Sequence, residues 1–365
     1  MRRASVAMVV IMLLGAAAAA RADDDWQAGG GPKWQTVLAA ARQEGKVVVA
    51  GTTKIGETVQ AAFKRDTGID VEYLNLFSSE LFARASREYK SGQITMDAVF
   101  MGANGLPLAL AGYMEPLVPR LLLPGATDPA KWVDGKMKFI DAAGTYMFVS
   151  SLAVSSWVLI DKDEIKPGAL TGWQGLLKPE YTGKIAIYDP HVAGIGANMA
   201  VFLAGTLGMD YVKKLYVDQH PKISRDGRQI AEWVGRGVYP IAVAALSEDV
   251  ELYQNAGIKN FGVVMMTDAP GLLLGGYALH IPKGAPHPNA ATVFANWLVS
   301  KPGQEVYSMV EGSPSRRTDV HVASIPDYLY PKPGITYVDG YEEKYLVAKR
   351  PPLQKAVIDL LDASN

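Results

Sequence analysis

Between residues 34 and 102 the chain alternates short β-branched runs with segments of helical period. No other feature restricts the fold as much. "WQTVLAAARQEG" reads as a helix stopped by Gly45, "KVVVAGT" as a strand and "ETVQAAFKRDTG" as a helix closed by Gly68. "IDVEYLNL" follows as a strand, "SSELFARASREYKSG" as a helix and "TMDAVFMG" as a strand. Strand–helix–strand units at this spacing imply parallel pairing with right-handed crossovers, since only a long connection returns the chain to the same end of a sheet. The second half repeats the theme: strand "KIAIYDP", a glycine-led helix "GIGANMAVFLAGTLGMDYVKKLY", and "DGRQIAEWVGRG" with Asp226 and Gln229 at capping-box spacing. Strand "IAVAAL" comes next, then a Ser247-Glu248-Asp249 corner, then a short helix pattern restarting at Val250 and ending at Gly257. Between the halves lies "KFIDAAGTYMFVSSLAVSSWVLIDKDEI", β-rich, poorly punctuated and long enough for strands that run between two domains.

Composition agrees with two globular units. The chain has 365 residues, 49% hydrophobic and 20% charged, enough for two cores without covalent staples. It has no cysteine, which removes lipoprotein anchoring, disulfides, thiol catalysis and cysteine metal sites together. A formal net charge of -1 gives no global field for nucleic acid or an anionic membrane. At the start, Arg2 and Arg3 precede an apolar run over residues 6–14, and "AAAARA" ends in small residues before Asp23. That pattern predicts a signal peptide over residues 1–22, cleaved after Ala22, and export to the periplasm. The run is too short for a membrane span. "RRASVAM" matches a twin-arginine signal only in its pair, so the export route stays open.

Several segments together resemble the periplasmic solute-binding proteins of ATP-driven importers, in the branch that holds the ferric-ion-binding proteins and their organic-ligand relatives. "GYALHIPKGAPHPNAATVFANWLVSKPGQEVY" resembles that family's most recognisable block: a strand, then "KGAPHPNAA", then one helix ending near "S-x-x-GQ". "GKVVVAGTT", "AAFKRDTGIDVEYL" and "MDAVFMG" are similar to its first three strand regions, and "VGRGVYPIAVAA" to the segment before its second-lobe ligand loop. The resemblance implies an α/β clamshell of the type II periplasmic binding class, with two lobes, each a mixed, mostly parallel sheet flanked by helices, joined by two crossover strands. On that pattern residues 33–105 and 268–314 form the first lobe and residues 155–267 and 318–365 the second, with 106–154 as a helix and crossover region. It also implies a monomer that captures a small solute and delivers it to an inner-membrane ABC permease and its ATPase, with no nucleic-acid partner, no cofactor and no covalent chemistry.

Open α/β sheets bind ligands beyond the carboxyl ends of their strands, where helix amino termini present unpaired N–H groups. In the first lobe this singles out Thr52, Thr53 and Lys54 after the first strand, Ser78 and Ser79 after the second, and Asn104 after the third. Each has a plainer reading: a capped helix start with a solvated lysine, an N-cap, a turn. In the second lobe Gly194, Gly196 and Ala197 open a helix, and bare N–H groups there attract negative charge, worth roughly 0.3–1 kcal/mol when exposed. The glycines serve close helix–sheet packing equally well. His191 is a turn histidine or a ligand contact, and Arg225 an exposed arginine or a bidentate anion grip. Tyr146 and Tyr277 are candidate cleft walls or core residues. These grips lean towards a small organic anion, such as a carboxylate, phosphonate or sugar phosphate.

Catalytic motifs do not stand out. The five histidines show no metal spacing, no G-x-S-x-G elbow occurs, and "GIGANM" lacks the end of a P-loop. An exported hydrolase is the rival class. Within the fold, the rival is a metal-ion carrier. The resemblance places the paired iron-ligating tyrosines of the ferric members on Ser247 and Glu248, counting from Pro240. Serine is no useful ferric ligand and one carboxylate leaves a hard cation's oxygen shell incomplete. Ser247 and Glu248 are therefore expected to hydrogen-bond a polar organic solute. The plain reading of Asp249 is a helix cap.

Overall fold

The computed structural model describes residues 25–51, 56–166 and 168–364. The expected signal peptide and the candidates Thr52, Thr53 and Lys54 lie outside the described residues. Two five-stranded sheets dominate, and each is covered on both faces.

The first sheet runs β2 (Asp70–Asn75), β1 (Lys46–Gly51), β3 (Ala98–Met101), β12 (Ala278–His280), β4 (Phe148–Val149). β1 pairs in parallel with both β2 and β3, while β12 is antiparallel to β3 and to β4. Every residue of β1 after Lys46 is buried, as a strand sandwiched between helices requires. Trp34 and Leu38 of α1 (Pro32–Glu44), Phe63 of α2 (Gly56–Thr67) and Phe294 of α7 (Pro288–Val299) fill one face. Leu81 and Ala85 of α3 (Ser78–Ser91) fill the other with Met101 and Met147.

The second sheet runs β10 (Phe261–Met265), β6 (Trp157–Asp161), β9 (Ile241–Val243), β7 (Ile185–Tyr188), β8 (Lys222–Ser224). β7 pairs in parallel with both β8 and β9; β6 runs against β9, and β10 runs against β6, so β6 alone opposes the rest. α4 (Ile195–Leu207) covers one face through Met199 and Phe202. α5 (Gly227–Gly235) and α6 (Ser247–Asn255) cover the other through Ile230, Val234 and Val250. The tail helix α9 (Arg350–Asp362) packs on α4 with Val357 and Leu361.

A three-stranded sheet joins the lobes. β5 (Ala153–Val154) and β11 (Gly271–Leu274) are antiparallel crossovers lying side by side, and β13 (Tyr337–Asp339) adds in parallel to β11. β4 and a bridge between Met114 and Pro282 tie the segment before the first crossover to the first sheet. The helix after "KGAPHPNAA" is two helices rather than one. Ser300 is extended (φ -72°, ψ 163°), and its hydroxyl caps α8 (Lys301–Glu311) by accepting from the Gly303 N–H. Proline in the first turn of α8 and of α9 costs nothing, because those N–H groups have no helical partner.

Candidate functional site

Parallel strands send their carboxyl ends to one edge of each sheet. In the first lobe β2 passes through Leu76 and Phe77 into α3. The sequence places a serine at the N-cap; instead Phe77, extended at φ -64° and ψ 149°, holds it and gives no side-chain bond. Ser78 and Ser79 occupy the first two helical positions, so among the described residues the N-cap supplies no side-chain acceptor to the first turn's N–H groups. Phe77 is 84% exposed. The Asn104 amide donates to Ser78 Oγ at 3.4 Å, which brings those two candidates together.

In the second lobe β7 leads to α4, β8 to α5 and β9 to α6. Gly194 has φ 128°, a conformation that favours glycine. Gly196 is a packing residue: a Cβ there would lie 2.5 Å from the Asp189 carbonyl oxygen and 2.9 Å from that of Tyr188. Ala197 is buried, with its side chain in the second lobe's core. His191 and Arg225 converge on Asp189. His191 Nδ1 lies 2.6 Å from one carboxylate oxygen, Arg225 Nε donates to the other at 2.7 Å, and His191 Nε2 is 3.1 Å from Asp362 of α9. Burial pushes the Asp189 carboxyl up, but the bonds from Arg225 and His191 outweigh it and hold it below the usual range. The bond to Asp189 in turn raises His191, against a smaller effect of burial.

Asp226 caps α5, accepting from the N–H groups of Arg228 and Gln229. The reciprocal half of the box is absent, because the Gln229 side-chain oxygen accepts from Ser224 Oγ at 2.8 Å instead. α6 begins at Ser247 with Leu246 at its N-cap and no side-chain bond. Asp249 does not cap it. That carboxylate is buried against Gly227 at the start of α5, with Arg228 Nε 3.8 Å away, and burial raises its pKa. Ser247 is half-buried and Glu248 exposed. The turn into this corner passes through Ala244 at φ 60°, a strained value for a residue with a side chain.

Where the crossovers enter the first lobe, Tyr277 stands beside residues the sequence did not single out. Tyr307 stacks on Phe100 (5.2 Å between centroids, 16° between planes), and its hydroxyl is buried without a well-aligned hydrogen-bond partner. Glu311, one turn further along α8, approaches Gly276 so closely that a Cβ there would lie 2.8 Å from Oε1. Burial lifts the Glu311 carboxyl to about 8; the Tyr307 hydroxyl pulls it down, and the charge of Glu248 in the other lobe pushes it further up. Tyr307 and Glu311 at i and i+4 would have been legible as one helix face, but nothing in the pattern says that face meets a crossover. Tyr146 is half-buried on the core of the first lobe, its N–H bonded to Asp141 at 3.0 Å.

Two α/β lobes on paired crossovers, with uncapped helix amino termini at the strand ends of both, define a two-lobe binding protein of the type II periplasmic class. The chain belongs to the family described as bacterial extracellular solute-binding protein, whose model matches residues 58–326. An uncharacterised protein of Haemophilus influenzae is 27% identical over 285 residues, covering 74% of this chain and 77% of its own. Among solved structures the Bordetella ferric binding protein superposes with a TM-score of 0.66 at 18% identity, covering 87% of this chain and 98% of its own. AfuA from Actinobacillus pleuropneumoniae, with fructose-6-phosphate bound, gives a TM-score of 0.61 at 20% identity, covering 87% of this chain and 99% of its own. These proteins share the fold, and their ligands differ. Among the described residues no helix is long and apolar enough to cross a membrane.

Proposed function

We propose that this protein captures a small polar organic solute between its lobes in the periplasm and hands it to an inner-membrane ABC permease and its ATPase. The observation that carries this reading is the set of uncapped amino termini on α3, α4 and α6 at the strand ends. Their unsatisfied N–H groups are a ready seat for acidic oxygens. Arg225, Ser78, Asn104 and Ser247 stand near those termini and supply further donors. An acidic group on the solute, a carboxylate, phosphonate or phosphate, fits these donors. Glu248 and Asp249 oppose a bare, highly charged anion at α6, so the acidic group belongs on a larger polar molecule. Thermal-shift screening of the purified protein tests this. A solute that binds only the native state raises stability by about 2.7 kcal/mol at a hundredfold excess over Kd. Carboxylates and phosphorylated compounds should raise Tm and remain chemically unchanged. Turnover of a periplasmic ester, phosphate or glycoside would favour an exported hydrolase, and binding confined to neutral sugars would reject the acidic group.

A further inference from the structure

Glu311 has surroundings that solute capture by helix termini leaves unexplained. Its carboxylate meets the crossover at Gly276, whose N–H donates to Ser151 Oγ at 3.0 Å. The Tyr307 hydroxyl, on a residue 1% exposed, faces it and also Tyr73 and Tyr277. Tyr341, next to β13, lies against the neighbouring Gly275 and feels the Glu311 charge, and Glu248 acts on Glu311 from the second lobe. Arg350 acts on Tyr341, while burial, Tyr307 and Glu248 are what shift the Glu311 carboxyl. A half-buried carboxyl, a buried hydroxyl without a well-aligned partner, tyrosine rings and a second carboxylate from the other lobe are complementary to a cation with N–H donors and an apolar stem.

We propose that Glu311, with Tyr307 and Glu248, seats a protonated amino group, so that the solute carried between the lobes is an amine. This rests on the reading that the cleft captures a solute, and it adds the chemical class. An ammonium would donate to Glu311 and to the Tyr307 oxygen, and closure would bring Glu248 onto it. Glu311 is largely protonated at neutral pH, since burial lifts it to about 8. Binding a cation there must expel that proton, so affinity should rise by about tenfold per pH unit below that value and level off above it.

The test uses the full mature chain and matched probes: γ-aminobutyrate with butyrate, ethanolamine phosphate with ethyl phosphate, and 1,4-diaminobutane with butanol. At least one amine should raise Tm and bind by calorimetry, its deaminated partner should bind about tenfold or more weaker, and affinity should climb from pH 6 to 8. Glu311→Gln resembles the neutral form and should fold normally, yet bind the amine about tenfold or more weaker with a flat pH profile. Tyr307→Phe should weaken binding without lowering Tm. Equal binding of amine and deaminated partner, an unaltered Glu311→Gln variant, or silence from all three amines overturns the assignment. Binding of butyrate or ethyl phosphate in that case leaves solute capture standing; silence from all six probes, and from the wider carboxylate and phosphate screen, removes both.

Discussion

Arg225 Nε lies 2.7 Å from one oxygen of Asp189, whose other oxygen is 2.6 Å from His191 Nδ1. One carboxylate thus organises the loop after β7 and the loop after β8, two candidates from separate parts of the sequence. The Arg225 side chain is 72% exposed, so the pair is screened and contributes little to folding. Arg225→Ala should leave Tm nearly unchanged. If the guanidinium grips the solute's acidic group, the same variant should weaken binding by about 1.5–3 kcal/mol, read by calorimetry.

Asp189 also controls a titration. The bond to Asp189, with help from Asp362, raises His191 above 6.5. A raised histidine stabilises the fold fully below its unfolded value, and that contribution is lost as pH rises through the folded one. NMR titration should find His191 above 6.5, and Asp189→Asn should bring it down. An unchanged midpoint in that variant would contradict the geometry.

Gly196→Ala should destabilise by about 1–3 kcal/mol, because a methyl group would press on the Asp189 and Tyr188 carbonyls 2.5 and 2.9 Å away. Gly194→Ala strains a backbone at φ 128° but meets no atom within 4 Å. Chemical denaturation should therefore report steric pressure in the first variant and backbone strain in the second.

Sequence periodicity revealed the strands around β1 and β7 because strands buried on both faces must be continuous apolar runs, and "VVVA" and "IAI" are. It also marked the corners at Ser78, Asn104, Arg225 and Ser247, since strand ends are local events. What escaped it was tertiary. Phe77 took the cap that serine chemistry favours, Asp249 turned from its own helix to the start of α5, and Ser300 divided one apparent helix into two. Tyr307 and Glu311 sit at the spacing of an ordinary amphipathic face; only the passage of Gly276 beside them brings that face against a crossover.

Stability should have both an acid and an alkaline limb. His280 is fully buried, with its Nε2 2.8 Å from the Tyr89 hydroxyl, and burial lowers it to about 3. Its folded value is depressed, so stability declines as pH falls from about 6.5 towards 3. Glu311 is raised to about 8, so its contribution, full below about 4.5, is lost as pH climbs towards 8. Without solute, Tm should peak between these limbs. Glu311→Gln should flatten the alkaline side alone. An alkaline limb that persists in that variant would place its origin elsewhere.

Iron is the sharpest rival to an organic solute, since the fold is shared with a ferric binding protein. Tyrosines gather here too, but on the first-lobe side of the cleft, and burial works against their ionisation. It pushes Tyr341 up to about 12 and Tyr307 well above the ordinary value. A phenolate must form before it can ligate Fe(III), and each of these would have to lose a proton in a setting that already contains Glu311. Ser247 and Glu248, where the ferric members are expected to carry tyrosines, supply one hydroxyl and one carboxylate. Among the described residues no three His, Asp or Glu side chains gather in a metal-holding group. Titration with Fe(III)–citrate should therefore produce no visible tyrosinate charge-transfer band. Ser247→Tyr combined with Glu248→Tyr, which restores the expected pair, should produce one. A band in the unaltered protein, at one iron per chain, would show that the buried tyrosines ionise after all and would make iron the cargo.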